Sequence, residues 1–166
     1  MAYPVSMDAL ISLSAYQLHV LVAPFPETRR LVTALLTRLA LAGGAQVLDG
    51  GNAFDVLTLA RALRRETPQL EPVLSRVRVA RAFTCFQLTA RLAQSPAAPL
   101  PWIVLDLPVT FGDENVSLRE RTRLLEDGLK HLRRLTTQAA VLVTARPGAA
   151  FLPRLQAAAD VCWEAG

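Results

Sequence analysis

The sequence predicts an α/β fold of three layers, in which a mainly parallel sheet carries helices on both faces. Short apolar runs rich in β-branched residues alternate along the chain with longer segments whose apolar residues recur at helical spacing. Two of the short runs, 102–107 and 139–144, are apolar almost throughout. Such runs are typical of strands that are buried on both faces of a parallel sheet.

The first two strand and helix units are separated by turn residues. A strand at 18–22 leads to a helix at 28–41, and two glycines end that helix, as is common at helix C-termini. A second strand at 45–48 is followed, after a glycine-rich turn, by a helix at 56–65. Its apolar spacing predicts three buried residues, Leu57, Ala60 and Leu63.

The third unit begins with a strand of mixed character. At 76–80 valines alternate with arginines, which predicts a strand at an edge of the sheet or with one wet face. A helix at 83–94 follows. Large aromatic side chains usually lie in cores, so Phe83, Phe86 and Trp102 are assigned to the core.

The last third of the chain contains the two most apolar strands. The strand at 102–107 carries Asp106 near its end, where α/β proteins often place functional residues. Ser117 caps the longest helix, which runs to about residue 138, and strands at 139–144 and 160–163 complete the sheet. The apolar stripe of that helix comprises five leucines, Leu118, Leu125, Leu129, Leu132 and Leu135.

Length and composition predict one domain over 1–166, with a short lead-in over about 1–17. A hydrophobic content of 52% supplies a sizeable core. The net charge of +4 permits an acidic partner or a nucleic acid, although arginines and carboxylates are interspersed. Neither a signal peptide nor an apolar run long enough for a membrane span is present, so the expectation is a cytoplasmic protein with no membrane contact. Two cysteines without metal-ligand spacing predict reduced thiols and no metal site.

The stretch 19–32 is similar to the strand, loop and helix start of a phosphate-binding unit, but its phosphate-binding residues are absent. A working phosphate loop needs glycines with inward N–H groups, a lysine and a magnesium-binding hydroxyl. The corresponding positions carry other residues, namely Ala23, Thr28, Arg29 and Arg30. Pro24 and Pro26, which flank Phe25, have no N–H to donate. The sequence therefore predicts a degenerate nucleotide site.

Three further stretches indicate a family. Residues 47–54 read Val-Leu-Asp-Gly-Gly-Asn-Ala-Phe, residues 77–84 read Val-Arg-Val-Ala-Arg-Ala-Phe-Thr, and residues 102–106 read Trp-Ile-Val-Leu-Asp. With the order of the strands and helices, these stretches resemble the core ATPase domain of the RecA/RadA recombinase superfamily, in its archaeal and eukaryotic branch. The resemblance implies a RecA-like three-layer core.

The resemblance also implies which catalytic groups are missing. The glutamate that polarises the attacking water in that family falls on Gly51, and the polar sensor of the γ-phosphate falls on Ala145 and Arg146. Asp106 stands at the position of the Walker B aspartate. Without a nucleotide it either binds magnesium or accepts hydrogen bonds in a loop, and the second role is favoured.

Two short connections correspond to the loops with which recombinases face DNA. They lie at 108–116 and 146–153, and arginines at the second, Arg146 and Arg154, are candidate contacts to DNA or to a partner. Phe25 either plugs the vacant nucleotide site or contacts a partner protein.

The preferred hypothesis is a catalytically degenerate RecA/RadA-like protein, a pseudo-ATPase without a cofactor. It is expected to act as a non-hydrolysing accessory or regulatory partner of another protein, such as a RecA-like ATPase, in DNA recombination or repair, as a hetero- or homo-oligomer. One alternative is a direct DNA-binding module. Another is a nucleotide-binding ATPase with an atypical phosphate loop, in which Arg29 stands in for the lysine.

Overall fold

The described strands form a single sheet. A computed structural model describes residues 2–4, of which only the backbone is considered, and residues 13–165. In chain order, the described strands are β1 (Ala2–Pro4), β2 (Leu18–Val22), β3 (Ala45–Asp49), β4 (Val77–Arg81), β5 (Trp102–Leu105), β6 (Val141–Ala145) and β7 (Val161–Glu164). Their order across the sheet is β1-β7-β2-β6-β5-β3-β4, and all of the pairings are parallel.

Helices connect the strands and cover both faces of the sheet. Those in the described residues are α1 (Phe25–Ala42), α2 (Val56–Arg64), α3 (Leu70–Leu74), α4 (Cys85–Gln94), α5 (Leu107–Thr110), α6 (Leu118–Leu135) and α7 (Leu152–Ala158). Buried residues of α1, α2 and α3 pack on one face, and those of α4, α6 and α7 pack on the other. The predicted three-layer α/β architecture is therefore confirmed.

Alternation along the central strands divides the core into two halves. In β5, Trp102 and Val104 face the layer of α4 and α6, whereas Ile103 and Leu105 face the layer of α1 and α2. All four side chains are buried. A strand covered on both faces must be apolar at every position, which is why this run carries no polar residue.

The first long helix begins three residues earlier than the sequence predicts. Helix α1 starts at Phe25, so that Phe25 and Pro26 belong to its first turn and not to an open loop. The carbonyl oxygen of Pro24 accepts from the N–H of Thr28 at 2.9 Å, which closes this turn. Proline is tolerated here because the first N–H groups of a helix have no partner within the helix.

The predicted fourth strand, 102–107, ends two residues early. Asp106 adopts a left-handed backbone with φ of 50°, and the short helix α5 follows at once. Two other short helices, α3 and α7, and the outer strand β1 within the expected lead-in were not predicted from the sequence. The two helices have fewer than two turns each and the strand has only three residues, so none of them shows a clear period.

Several apolar residues that were assigned to the core lie on the surface. Trp102 is buried as predicted, but Phe83 is 72% exposed and Phe86 is 47% exposed. Leu57 and Leu118, each in the first turn of a helix, are 66% and 62% exposed. Apolar spacing along the chain therefore does not identify the buried face at these helix starts.

Other sequence predictions concern the sheet edge, the thiols and the membrane. Strand β4 lies at one edge of the sheet, as the alternating valines and arginines predicted. Cys85 is buried and Cys162 partly buried, and both are free thiols. Within the described residues, no helix combines the length and the apolar character that crossing a membrane requires.

Candidate functional site

The candidate site lies at the carboxyl edge of the sheet, where β2, β6, β5 and β3 end side by side. Helix α1, which follows β2, covers one face, whereas α7, which follows the neighbouring β6, covers the other. In open α/β sheets the crevice between such strands is the usual ligand site. The backbone closes this edge tightly, since the N–H of Ala23 donates to the carbonyl of Ala145 at 3.1 Å.

Asp106, Arg146 and Phe25 occupy the centre of this crevice. The Arg146 guanidinium donates twice to Oδ2 of Asp106, from Nε at 3.1 Å and from Nη2 at 2.7 Å. Its central carbon also lies 5.1 Å from the centroid of the Phe25 ring, in a cation–π arrangement. Three segments distant in sequence therefore meet where a phosphate loop would hold its ligand, and we refer to these three residues as the Arg146 cluster.

The Asp106 side chain is buried in the protein interior. It is 4% exposed, against 46% for Arg146, so the ion pair is buried on the carboxylate side only. The backbone N–H of Asp106 donates to Oγ1 of Thr144 at 2.9 Å. Of the two roles considered for Asp106, the geometry matches that of a hydrogen-bond acceptor.

Gly51 lies directly against Asp106. A Cβ atom added at Gly51 would come within 2.4 Å of the Asp106 Cβ and 2.6 Å of its Oδ2. Real Cβ atoms do not approach other atoms so closely, so any larger residue requires Asp106 to move. The position that the recombinase resemblance assigns to the catalytic glutamate is therefore already filled by a neighbouring side chain.

Thr28, Arg29 and Arg30, which the sequence aligns with a phosphate loop, bind other parts of the protein. Thr28 is buried, and its Oγ1 donates to the carbonyl of Ala23 at 3.2 Å. Arg29 forms an ion pair with Asp55, the residue that caps α2. Arg30 donates to Glu27 one turn back, on the exposed face of α1. Arg29 is thus directed across to α2 and not towards a phosphate position.

The site contains a small enclosed cavity beside a wider open cleft. Between α1 and the loop before α2, Phe25, Thr28, Arg29, Phe54 and Leu105 help to enclose a cavity of about 20 Å³. That volume holds about one water molecule. The open cleft beside it, between Arg29 and Arg81, has a volume of about 420 Å³.

The loop after β3 is organised by a residue that sequence reasoning did not single out. Asp49 is 1% exposed, and its carboxylate accepts the N–H groups of Gly51, Ala53 and Phe54 at 2.8–3.1 Å. These three hydrogen bonds to Asp49 fix the loop in which Gly51 lies against Asp106. The sequence signal was the aspartate between a buried strand and two glycines, since aspartate commonly bonds to N–H groups shortly after it.

The two connections that the resemblance aligns with DNA-facing loops pack on each other. Phe111, after α5, is fully buried, and its ring lies edge-on to that of Phe151 before α7, with centroids 6.5 Å apart. Arg121 of α6 donates to the Phe111 carbonyl at 3.1 Å. Of the two candidate contact residues, Arg146 pairs with Asp106 and Arg154 pairs with Glu126 at 2.9 Å.

The rim of the carboxyl edge carries apolar side chains. Val56 and Leu57 begin α2, Val109 lies in α5 and Leu118 begins α6, and all four are exposed by 46–66%. Single exposed apolar side chains are common on protein surfaces, whereas a continuous patch of them marks a contact surface.

Metal-ligand clusters and the environment of the buried thiol can be described for the part of the chain that the structure covers. No group of three or more His, Cys, Asp or Glu side chains there is placed to hold a metal ion. Burial raises the pKa of the Cys85 thiol, which keeps it protonated and unreactive.

Comparison with known proteins finds no match: no protein-family model and no curated protein matches this chain.

Proposed function

We propose that this protein is a non-hydrolysing accessory or regulatory protein with a RecA/RadA-like core, which acts by binding another protein in DNA recombination or repair. The observation that supports this best is the Arg146 cluster, together with the absence of space for a side chain at Gly51. An ion pair, an aromatic ring and a closed loop occupy the place of the phosphates, the metal and the base.

Phosphoryl transfer depends on positioning and on charge stabilisation at the reacting phosphate. Here Asp106, at the Walker B position, is paired with Arg146. The hydroxyl of Thr28 donates to the backbone carbonyl of Ala23. A glutamate at Gly51 would overlap Asp106. The former catalytic face is therefore better suited to a fixed protein contact than to turnover.

The rim of that face provides the contact surface for the partner. Val56, Leu57, Val109 and Leu118 are exposed on helices that follow the carboxyl ends of β3 and β5. Burial of an apolar side chain of this size stabilises a complex by about 1.5–3 kcal/mol. We propose a RecA-like ATPase as the partner, in a hetero-oligomer.

Calorimetric titration with ATP and magnesium tests the loss of nucleotide binding. We expect no heat of binding and no phosphate release, with an active RecA-like ATPase as the positive control. Micromolar binding or measurable turnover would refute this part of the proposal and would favour the atypical ATPase, in which Arg29 leaves Asp55 to contact a phosphate.

A matched pair of variants tests the contact surface. Leu57→Asp places a charge on the rim, whereas Leu41→Asp places it on a leucine that is 40% exposed at the far end of α1. In binding assays with a purified RecA-like ATPase from the same host, we expect Leu57→Asp to weaken binding by about tenfold or more and Leu41→Asp to leave it unchanged. Equal effects, or no binding by the unaltered protein, would contradict the assignment.

A further inference from the structure

The positive charge of the chain lies in one half of its sequence. Residues 28–105 contain ten arginines and four carboxylates, a net charge of +6, whereas the rest of the chain has a net charge of −2. Between Glu71 and Asp106 there are four arginines and no carboxylate. This carboxylate-free stretch contains β4 at the sheet edge and α4 beside it.

A groove between the end of β4 and the outer face of α4 combines this charge with an exposed aromatic ring. Its walls are formed by Arg81, Phe83, Gln87, Ala90, Arg91 and Gln94. Phe83 is the most exposed of the large hydrophobic residues in the described chain, at 72%. Its neighbour Phe86 is also exposed but is not among the residues that line this groove.

Hydrogen bonds within the protein hold the residues of the groove in place. Oγ1 of Thr84 accepts from the N–H of Gln87, and the Gln87 side chain accepts from the N–H of Phe83 at 2.8 Å, so the start of α4 is doubly capped. Arg81 is held by Oδ1 of Asn52 at 2.7 Å. Arg91 is exposed, and it makes no ion pair with any described residue.

We propose that this groove binds single-stranded nucleic acid, with a base stacked on Phe83 and phosphates contacted by Arg81 and Arg91. Arg81 also pairs with the buried carboxylate of Asp49 at 4.0 Å, but its side chain stays 42% exposed, and none of the residues that line the groove is a carboxylate. An exposed aromatic ring beside accessible arginines is how proteins bind single strands without sequence preference. A duplex offers phosphates but no free base face. An acidic peptide offers charges but no flat π-system for the ring. The inference is independent of the proposed protein partner.

Fluorescence anisotropy with a labelled oligothymidylate of about 15 nucleotides tests the stacking contact. Phe83→Ala is expected to weaken binding by about tenfold, since each stacked base contributes on that scale. Phe86→Ala, which removes an equally large exposed ring outside the groove, is the matched control and should change affinity by less than about twofold. Both residues are exposed, so both variants should fold, which circular dichroism verifies.

A salt series tests the phosphate contact. For single strands the slope of log affinity against log salt is about −0.7 for each neutralised phosphate. Arg91→Glu should make the slope shallower by about 0.7, whereas Arg119→Glu, an exposed arginine of α6 without an ion pair to a described residue, should leave it unchanged.

Four results would overturn the proposal. They are no binding at low salt, equal effects of the two phenylalanine variants, tighter binding of a duplex than of the single strand, and displacement of the oligonucleotide by poly-glutamate at equal charge concentration. The last result would assign the groove to an acidic protein.

Discussion

Asp106 illustrates how one position acquires its role from its surroundings. Its place near the end of a buried strand fits a metal ligand and a loop acceptor equally well, and the sequence alone favours the second only because the phosphate loop is missing. In the folded protein its carboxylate faces Arg146, and its Cβ covers Gly51. The pairing with Arg146, 40 residues further along the chain, therefore favours the role of Asp106 as a hydrogen-bond acceptor.

Gly51→Ala should destabilise the protein, because the added carbon would lie 2.4 Å from the Asp106 Cβ. We expect a loss of about 1–3 kcal/mol in the free energy of unfolding, measured with urea. Gly112→Ala is the control, since its added carbon meets nothing closer than 3.5 Å.

A second substitution locates the clash. Asp106→Gly removes both the carboxylate and the Cβ, so Gly51→Ala should cost clearly less in that background than in the unaltered protein. Additive effects of the two substitutions would mean that Gly51 is constrained by something other than Asp106.

At the scale of the element, helix α2 is placed by its first residues. Asp55 caps it by accepting from the N–H groups of Leu57 and Thr58, and its carboxylate also pairs with Arg29 of α1. The same residue thus starts one helix and ties it to another. The sequence predicted the start of α2 correctly but did not predict the link to Arg29.

Asp55→Ala should lower the free energy of unfolding by about 1–2 kcal/mol through loss of the cap. Arg29→Ala, which removes only a half-exposed ion pair, should cost less than about 1 kcal/mol. Urea unfolding of both variants and of Asp55→Asn, which keeps a capping oxygen, separates the two contributions. If Asp55→Asn were as destabilising as Asp55→Ala, the charge and not the cap would be the main contribution.

Element boundaries were predictable where a period or a glycine marks them. Strands β2 and β3 and helix α2 agree with their predicted ranges to within one residue. The sequence places the start of α1 too late because Pro24 and Pro26 precede its regular apolar pattern, although proline fits the first turn of a helix. Leu57 in the first turn of α2 and Phe83 just before α4 were assigned to the core but are exposed, because apolar character alone does not show which residues find packing partners.

At the scale of the whole molecule, a buried histidine in the central strand β2 makes the stability of the protein depend on pH. His19 in β2 is 1% exposed and stacks on Trp163 of β7, with ring centroids 5.1 Å apart. Its Nε2 donates to the Ser14 carbonyl, and its Nδ1 has no partner among the described residues. Desolvation by burial lowers the pKa of His19 below its ordinary value of 6.5.

The sign of the pH effect follows from proton binding. Below pH 6.5 the unfolded chain protonates this histidine while the folded chain does not, so the stabilisation present above pH 6.5 is lost as the pH falls. We expect the melting temperature of the unaltered protein to fall from pH 7 towards pH 5. His19→Phe keeps the stacked ring without a titrating group, so it should fall less.

His131→Gln on α6 is the matched control and should keep the pH dependence of the unaltered protein. Were His19→Phe to show that same dependence, another group would be responsible. Asp160 is one such group, because the N–H of Leu18 and Arg133 lower its pKa, and its stabilisation is also lost as the solution becomes acidic.

The sequence by itself determined the three-layer α/β architecture, because the two periods of its apolar residues specify which segments are strands and which are helices. It also determined that phosphate-binding groups are missing, since proline has no N–H and glycine has no side chain whatever the fold. Only the tertiary structure decided which side chains meet at the carboxyl edge of the sheet and where the open groove lies. Both depend on which strand ends are neighbours and which strand is left at the edge, and that order arises from contacts between residues far apart in the chain, which no local period encodes.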